Sequence, residues 1–438
     1  MQQLKPLTLR RNFSWTFTGN LIYAASQWGM LVLLAKLGSP EMVGQFTLGL
    51  AVTAPAIMFS NLQLRQIQAT DAKGEYLFSD YLGLRLIATA LAFLIIAGIT
   101  LKAGYRWETS LVILAIALAK AFESISDVFY GLIQQHERMD RIAIALMIKG
   151  PLSLLLLGIG VSLTGSVVGG SLGLAVAWGL VLFGWDLRNG KLILNNSSQG
   201  REREDLLVAD AEPAKSQNPL YPRWEGKTLG KLVLLALPLG VVMMLVSLNT
   251  NIPRYFLERY LGERELGIFS AISYLMVAGN LVVSALAQSA SPRLAKYYAA
   301  GNSTAFRTLL FKLVGVGLML GAGGVFVAVV AGRPILTLLY KPEYGERADL
   351  FAWLMVAAGI TYVASFLGYG MTAARYFRVQ MPLFVLVTGS SATTCFWLIP
   401  TQGVQGAVMA LIVGAIVQVS ITVGVLIHAL HKLHVVRS

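Results

Sequence analysis

Lys120-Ala-Phe-Glu123-Ser124-Ile-Ser-Asp127-Val-Phe-Tyr130-Gly-Leu-Ile-Gln134 is the stretch whose reading decides the fold. It lies inside a run that begins near Thr109 and is long enough to cross a bilayer. At about 100° per residue, Lys120, Glu123, Ser124, Asp127, Tyr130 and Gln134 fall on one stripe of a single helix. A charged side chain at the bilayer centre costs about 2.5–3.5 kcal/mol on insertion scales. The stripe is therefore expected to face protein or a water-filled cavity. Two readings fit it. Intramembrane ionisable groups mark a transport pathway, or Lys120, Glu123 and Asp127 pair at i,i+3 and i,i+4 only to hold helices together.

Working outward, the chain has 438 residues, of which 56% are hydrophobic and 13% charged, with a mean hydropathy of +0.65. Soluble domains carry about 25% charged residues, so the composition is that of an integral membrane protein. The formal net charge of +13 comes without a basic block or an aromatic-interleaved basic stripe, which speaks against nucleic acid as a partner. Windows of about 20 apolar residues predict twelve spans. They run Asn12–Leu34, Val43–Leu62, Tyr81–Leu101, Thr109–Ile133, Ile142–Leu163, Val167–Leu187, Leu229–Ile252, Leu266–Ser289, Phe306–Val330, Leu350–Ala373, Met381–Ile399 and Val404–Leu430. Lys5, Arg10 and Arg11 ahead of the first apolar run resemble a signal peptide, but the run is too long and further spans follow at once, so it reads as an uncleaved span.

Lys and Arg are more than twice as frequent in the segments that are internal if the N-terminus is cytoplasmic, Lys73, Lys149 and Arg188 among them. The positive-inside rule then places both termini in the cytoplasm, with Lys120 alone in mid-span. The polar segment 189–228, containing Arg201-Glu-Arg-Glu-Asp205, separates six spans from six and reads as a solvated linker. The predicted organisation is a lobe over 1–188, a linker over 189–228 and a lobe over 229–438. An internal repeat supports it. Leu37-Gly38-Ser-Pro-Glu41-Met-Val-Gly44-Gln-Phe46 opens the second span, and Leu261-Gly262-Glu-Arg-Glu265-Leu-Gly267-Ile-Phe269 opens the eighth, one residue shorter. The matched spans share an orientation, so the repeat is parallel.

Polar stripes recur on the first span (Thr16, Asn20, Tyr23, Gln27), the eighth (Ser273, Asn280, Ser284, Gln288, Ser291) and the tenth (Thr361, Ser365, Tyr369, Thr372). Interhelical hydrogen bonds explain any one of them; together with the charged stripe they read as walls of a hydrated cleft suited to sugar hydroxyls. Asn249-Thr-Asn251-Ile-Pro253-Arg254 closes the seventh span as a bend or as an ordinary helix end. Arg65, Arg85, Arg254 and Arg375 lie near span ends, where snorkelling competes with an anion-binding role. Lys120 is too deep to snorkel. Glu123 and Asp127 are deep enough to carry a counter-moving proton. His428, His431 and His434 share a face with no acidic or thiol partner, so no metal site is expected, and the single Cys395 excludes an intrachain disulfide. P-loop, GxSxG and HExxH motifs are absent, so neither catalysis nor a cofactor is expected.

A set of short motifs spread along the chain resembles the polysaccharide or O-antigen flippases of the multidrug/oligosaccharidyl-lipid/polysaccharide (MOP) exporter superfamily. They are Gly44-Gln-Phe46, Leu64-Arg65, Tyr81-Leu-Gly-Leu-Arg85-Leu, Gly131-Leu-Ile-Gln134-Gln-His-Glu137-Arg138-Met139, Ile252-Pro-Arg254-Tyr-Phe, Leu266-Gly267-Ile-Phe269, Pro292-Arg293-Leu and Leu339-Tyr340…Glu343-Tyr344. The resemblance implies an all-α, MATE-like fold of about twelve transmembrane helices in two pseudo-symmetric six-helix lobes. It also implies movement of a lipid-diphosphate-linked oligosaccharide from the inner to the outer leaflet by alternating access. Arg65, Lys120 and Arg254 would hold the anionic headgroup, with Arg85, Asn20, Gln27, Tyr130 and Asn280 lining the cavity. Membrane lipids, polysaccharide polymerases and glycosyltransferases are the implied partners, and the plasma (inner) membrane the implied location. Two rivals are a drug/cation antiporter, which relies on carboxylates in the first or seventh span where this chain has none, and a membrane glycosyltransferase or ligase, which needs a large outer loop.

Overall fold

The computed structural model describes residues 7–71, 74–195 and 220–435, apart from the side chains of Leu9, Phe377 and 433–435. Lys5, Lys73, the Arg201–Asp205 run with most of the predicted linker, and the His434 side chain lie outside the described residues.

The described residues contain helices and no strand. In lipid, a spanning segment must satisfy its own backbone polar groups, which a helix does internally. The elements are α1 (Leu9–Leu37), α2 (Pro40–Asn61), α3 (Leu64–Thr70), α4 (Phe78–Lys102), α5 (Trp107–Gln135), α6 (Met139–Thr164) and α7 (Val167–Val181). A π turn, Leu182–Asp186, extends α7 into a helix that runs to 195. After the undescribed segment come α8 (Gly226–Ser273), α9 (Met276–Ala299), α10 (Ser303–Leu339), α11 (Pro342–Gly345), α12 (Ala348–Ala373), α13 (Gln380–Gln402) and α14 (Val404–Val435). The left-handed Gly262, at φ 82°, divides α8 into two helices. With that division, and with the end of α8 joined to α9, twelve membrane-length helices result, as the windows predict.

Nine helical segments among the described residues are long and apolar enough to cross a membrane by composition. The 226–299 stretch counts once, and α1 and α5 are missing. The charged stripe makes α5 the most two-faced of the described helices. The seventh span corrects the prediction. Pro253 does not end it: the helix runs on to Gly262, which puts Arg254 inside the helix and not at its end.

The chain forms two compact units, 1–37 with 52–244, and 38–51 with 245–438. In the first, α1 packs on α6, α6 on α7, and α5 on α3, α4 and α7. Its apolar core includes Leu64, Tyr81, Phe129, Leu132, Ile133, Ile142 and Leu232. In the second, α10 packs on α12, α12 on α9 and α14, and α13 on α14. Where α8 breaks before α9, Tyr340 Oη donates to the Ala271 carbonyl and Tyr362 Oη to the Met276 carbonyl, both at 2.8 Å. These bonds serve backbone acceptors that lipid cannot satisfy.

The two repeat motifs meet within this second unit. A Cβ on Gly44 would collide with the Glu263 carbonyl, and one on Gly267 with the Pro40 carbonyl. Each glycine therefore faces the residue four positions before its counterpart. Ionic contacts surround the crossing. Arg264 reaches Glu41 at 3.0 Å and Glu343 at 2.8 Å, Arg347 reaches Glu265 at 2.9 Å, and Gln45 Nε2 donates to Glu263 at 3.0 Å.

Candidate functional site

The polar stripe of α5 turns into the first unit, where α1, α2, α3, α4, α6 and α7 supply its partners. Lys120 Nζ lies 2.8 Å from Glu123 Oε2, one helical turn away. Tyr23 of α1 donates to the other Glu123 oxygen at 2.9 Å. Further along α5, Asp127 accepts from Arg85 of α4 at 3.0 Å and lies 3.6 Å from Arg65 of α3. Arg85 is fully buried and donates a second bond to Asn61. It does not snorkel to an interface, which corrects the sequence reading: it stands behind Asp127 and props it. Arg65 also donates through Nε to Gln134 at 3.1 Å, and its side chain keeps 31% exposure.

Two charges that the sequence reading did not select complete the cluster. Lys149, assigned to an inner segment, is instead 1% exposed in the body of α6. Its ammonium lies 5.2 Å from the Trp178 ring and 5.5 Å from the Tyr130 ring. Lys120 lies over the same indole at 4.9 Å, and the Arg65 guanidinium over the same phenol at 5.5 Å. Lys120, Trp178, Lys149, Tyr130 and Arg65 thus alternate as cation and ring. The rings' negative faces replace part of the water these cations have lost. Asp186, 0% exposed, ends the π turn and lies in electrostatic reach of Lys149. The Ser126 and Tyr130 hydroxyls lie beside its carboxylate without reaching hydrogen-bond geometry.

The cluster therefore combines Lys120, Lys149, Arg65 and Arg85 with Glu123, Asp127 and Asp186. If all are ionised, one positive charge is in excess. Lys120 and Arg85 each have a close carboxylate, whereas Arg65 shares Asp127 at a longer distance. Lys149 has no carboxylate so close but is sealed from solvent; among the partly open cations Arg65 is the less closely compensated, which is the arrangement that accepts a phosphate oxygen.

The remaining predicted residues fall elsewhere. Asn20 is exposed and donates back to the Thr16 carbonyl at 2.8 Å, while Gln27 Nε2 is buried without a hydrogen-bond partner among the described residues. Arg254 and Asn280 belong to the second unit. Arg254 is half-buried and donates to Asn251 at 2.7 Å. On α12, Thr361, Ser365 and Thr372 bond to carbonyls of their own helix at 2.8, 2.9 and 2.9 Å, so that stripe is satisfied locally.

Comparison with known proteins gives a consistent result. Residues 9–198 match the model of the polysaccharide biosynthesis protein family. Over 415 residues, 93% of this chain and 96% of the relative, the sequence is 28% identical to the capsular polysaccharide biosynthesis protein CapF of Staphylococcus aureus. Among solved structures, an inward-facing multidrug resistance MATE family transporter of the MOP superfamily matches with a TM-score of 0.68 at 11% identity, covering 96% of this chain and 99% of that one. A MOP superfamily transporter from Pyrococcus furiosus, described as having a binding pocket of reverse polarity, matches with a TM-score of 0.61 at 14% identity, covering 97% and 95%. Residues 9–198 thus resemble the polysaccharide biosynthesis protein family, on a multi-pass membrane chain whose fold over nearly its full length is like that of the MATE transporters.

Proposed function

We propose that this protein flips a lipid-diphosphate-linked oligosaccharide from the cytoplasmic to the outer leaflet of the plasma membrane, by alternating access, for cell-surface polysaccharide synthesis. The observation that carries the reading is the surplus positive charge of the first unit, partly exposed at Arg65 and at Lys120. A diphosphate competes with Asp127 for Arg65 and with Glu123 for Lys120. Without cargo these carboxylates hold the cations in place, which avoids leaving an uncompensated charge in a low dielectric. Tyr23, Gln134 and Gln27 offer hydroxyl and amide groups to the sugar. Within the second unit, Arg254 and Asn280 are the candidate cation and amide for such a cargo.

Both termini lie in the cytoplasm on this reading, following the Lys/Arg bias. An inside-negative potential then assists export, since two negative charges moving outward gain about 4.6 kcal/mol per 100 mV. The lobes read from the sequence as 1–188 and 229–438 are the moving bodies, with 38–51 grouped with the second and 229–244 with the first, and the 189–228 segment lies between them in the chain. Polymerase and glycosyltransferase proteins are the partners that would consume and supply the cargo. A drug/cation antiporter is less well supported, because every carboxylate of the cluster has a cation in electrostatic reach and the whole repels a positive ligand.

The test is purified protein in liposomes carrying a fluorescent polyprenyl-diphosphate-linked glycan in one leaflet. Protein-dependent movement of intact lipid, with no sugar-transfer product, is expected, together with its loss in Arg65→Gln. Movement of a cationic dye instead, or glycosyl transfer, would overturn the proposal.

A further inference from the structure

We propose that Asp186 is a proton-binding site, with Lys149 as its counter-ion and Glu123 as its link to the substrate cations. The inference deepens the flippase reading and rests on it only for what the proton is coupled to. Three observations support it. First, Asp186 is the most completely buried acid of the cluster, at 0% exposure, and Lys149, at 1%, is the more buried of its two lysines. Neither Asp186 oxygen has a hydrogen-bond partner of normal geometry among the described residues, and no carboxylate–ammonium contact within 4.0 Å joins it to Lys149. A buried carboxylate left this way is costly while charged, and one proton removes the cost.

Second, the backbone is unusual at this point. The Leu182–Asp186 π turn interrupts an otherwise regular helix and re-aims Asp186 toward α5 and α6. Such bulges are concentrated at functional sites. Third, the charge ledger changes in the useful direction. The groups facing Asp186 are Ser126 and Tyr130 of α5 and Lys149 of α6; Lys149 is in turn within reach of Glu123, Lys120 and Asp127. Glu123 also accepts from Tyr23 of α1, and Arg65 of α3 lies over Tyr130.

The step is an addition of one proton from water to the Asp186 carboxylate, giving a neutral carboxyl. Lys149, on which Glu123 already acts more strongly than Asp186, is then left with Glu123 as its main counter-charge and competes for it with Lys120. Lys120 is freed for a phosphate oxygen, and the cluster's excess rises from one positive charge to two, which matches a diphosphate diester. By linkage, substrate binding favours the proton and the proton favours substrate, to the same extent. This assigns the exchangeable proton to Asp186 in preference to Glu123 or Asp127, both of which are already held by close cations.

The test uses the full chain in lipid nanodiscs without substrate. Infrared difference spectra between about pH 8 and pH 5 read the carbonyl stretch of protonated carboxyls. A band is expected that shifts on ¹³C-aspartate labelling, disappears in Asp186→Asn and persists in Glu123→Gln. Tyr130→Phe, which removes the facing hydroxyl, must move the same band, so the assignment survives even if Asp186→Asn fails to fold. Absence of a titrating aspartate band, or its persistence unchanged in Asp186→Asn, overturns the proposal. Coupling is read separately in the flipping assay. The wild-type rate should change at least several-fold with pH, and the Asp186→Asn profile should be flat; parallel profiles overturn the coupling while leaving the flippase reading intact.

Discussion

The interiors of the two units are built from different chemistry. Every fully buried charged side chain among the described residues, Asp80, Arg85, Lys149 and Asp186, lies in the first unit. The second unit buries only neutral polar groups: Gln45, Thr47, Ser247, Asn251, Ser270, Ser303, Ser391 and Thr422. Its ion pairs, such as Arg264–Glu41 and Arg347–Glu265, are partly exposed. Two six-helix halves with a shared repeat have therefore diverged in where they hold charge. The contrast separates charge kept at membrane depth, where it must be compensated group by group, from charge at a rim that water can screen.

That contrast can be broken at graded cost. Lys149→Met strips Glu123 and Asp186 of a buried partner and should destabilise the folded protein by about 3–5 kcal/mol. Unfolding in detergent would measure it, and Lys149→Met combined with Asp186→Asn should recover a large part. Placing a charge in the other interior should be comparably damaging. Ser391→Asp puts an unpaired carboxylate in a site with 1% exposure; a loss of about 2–4 kcal/mol is expected, and an unchanged melting temperature would show that the second interior tolerates charge.

Arg65→Gln and Lys120→Met test function apart from stability. Each removes a partly exposed cation, so membrane abundance should stay near wild type while flipping falls tenfold or more, equivalent to about 1.4 kcal/mol or more of lost anion affinity. If the protein itself disappears from the membrane, the stripe is holding helices together and not handling cargo. The smallest effect belongs to the rim. Glu41→Gln removes one of two carboxylates from Arg264 and should change stability by less than about 1 kcal/mol, decreasing further with added salt.

How much of this was legible in the sequence varies by region. The twelve helices, the charged face of α5 and the repeated motifs follow from run length and spacing alone. The pairing of Lys120 with Glu123 was open at i,i+3, and the structure adds what spacing cannot give: Tyr23 on one side and Trp178 below. Lys149 was overlooked because Arg138 and Arg141 precede it and suggest an interfacial run. One signal was available. Ten residues past the start of α6, at 1.5 Å per residue, it stands about 15 Å along the helix, half the thickness of the hydrocarbon core. Asp186 had no comparable signal, since next to Arg188 it reads as a span end and only the π turn shows where it points. Of the two readings of Asn249–Arg254, the helix end is excluded, because the helix runs on to Gly262, while a bend at Pro253 is compatible with a continuous helix.

The reciprocal crossing of Gly44 with Glu263 and of Gly267 with Pro40 has an evolutionary corollary. Residue i meeting j while j's twin meets i's twin is the signature of an isologous dimer contact, here preserved inside one polypeptide. A six-helix ancestor that paired with its own copy before fusion would leave this imprint. The geometry also locates the length difference: because both glycines keep a four-residue interval to their contact, the extra residue of the first copy is Ser39, between Gly38 and Pro40.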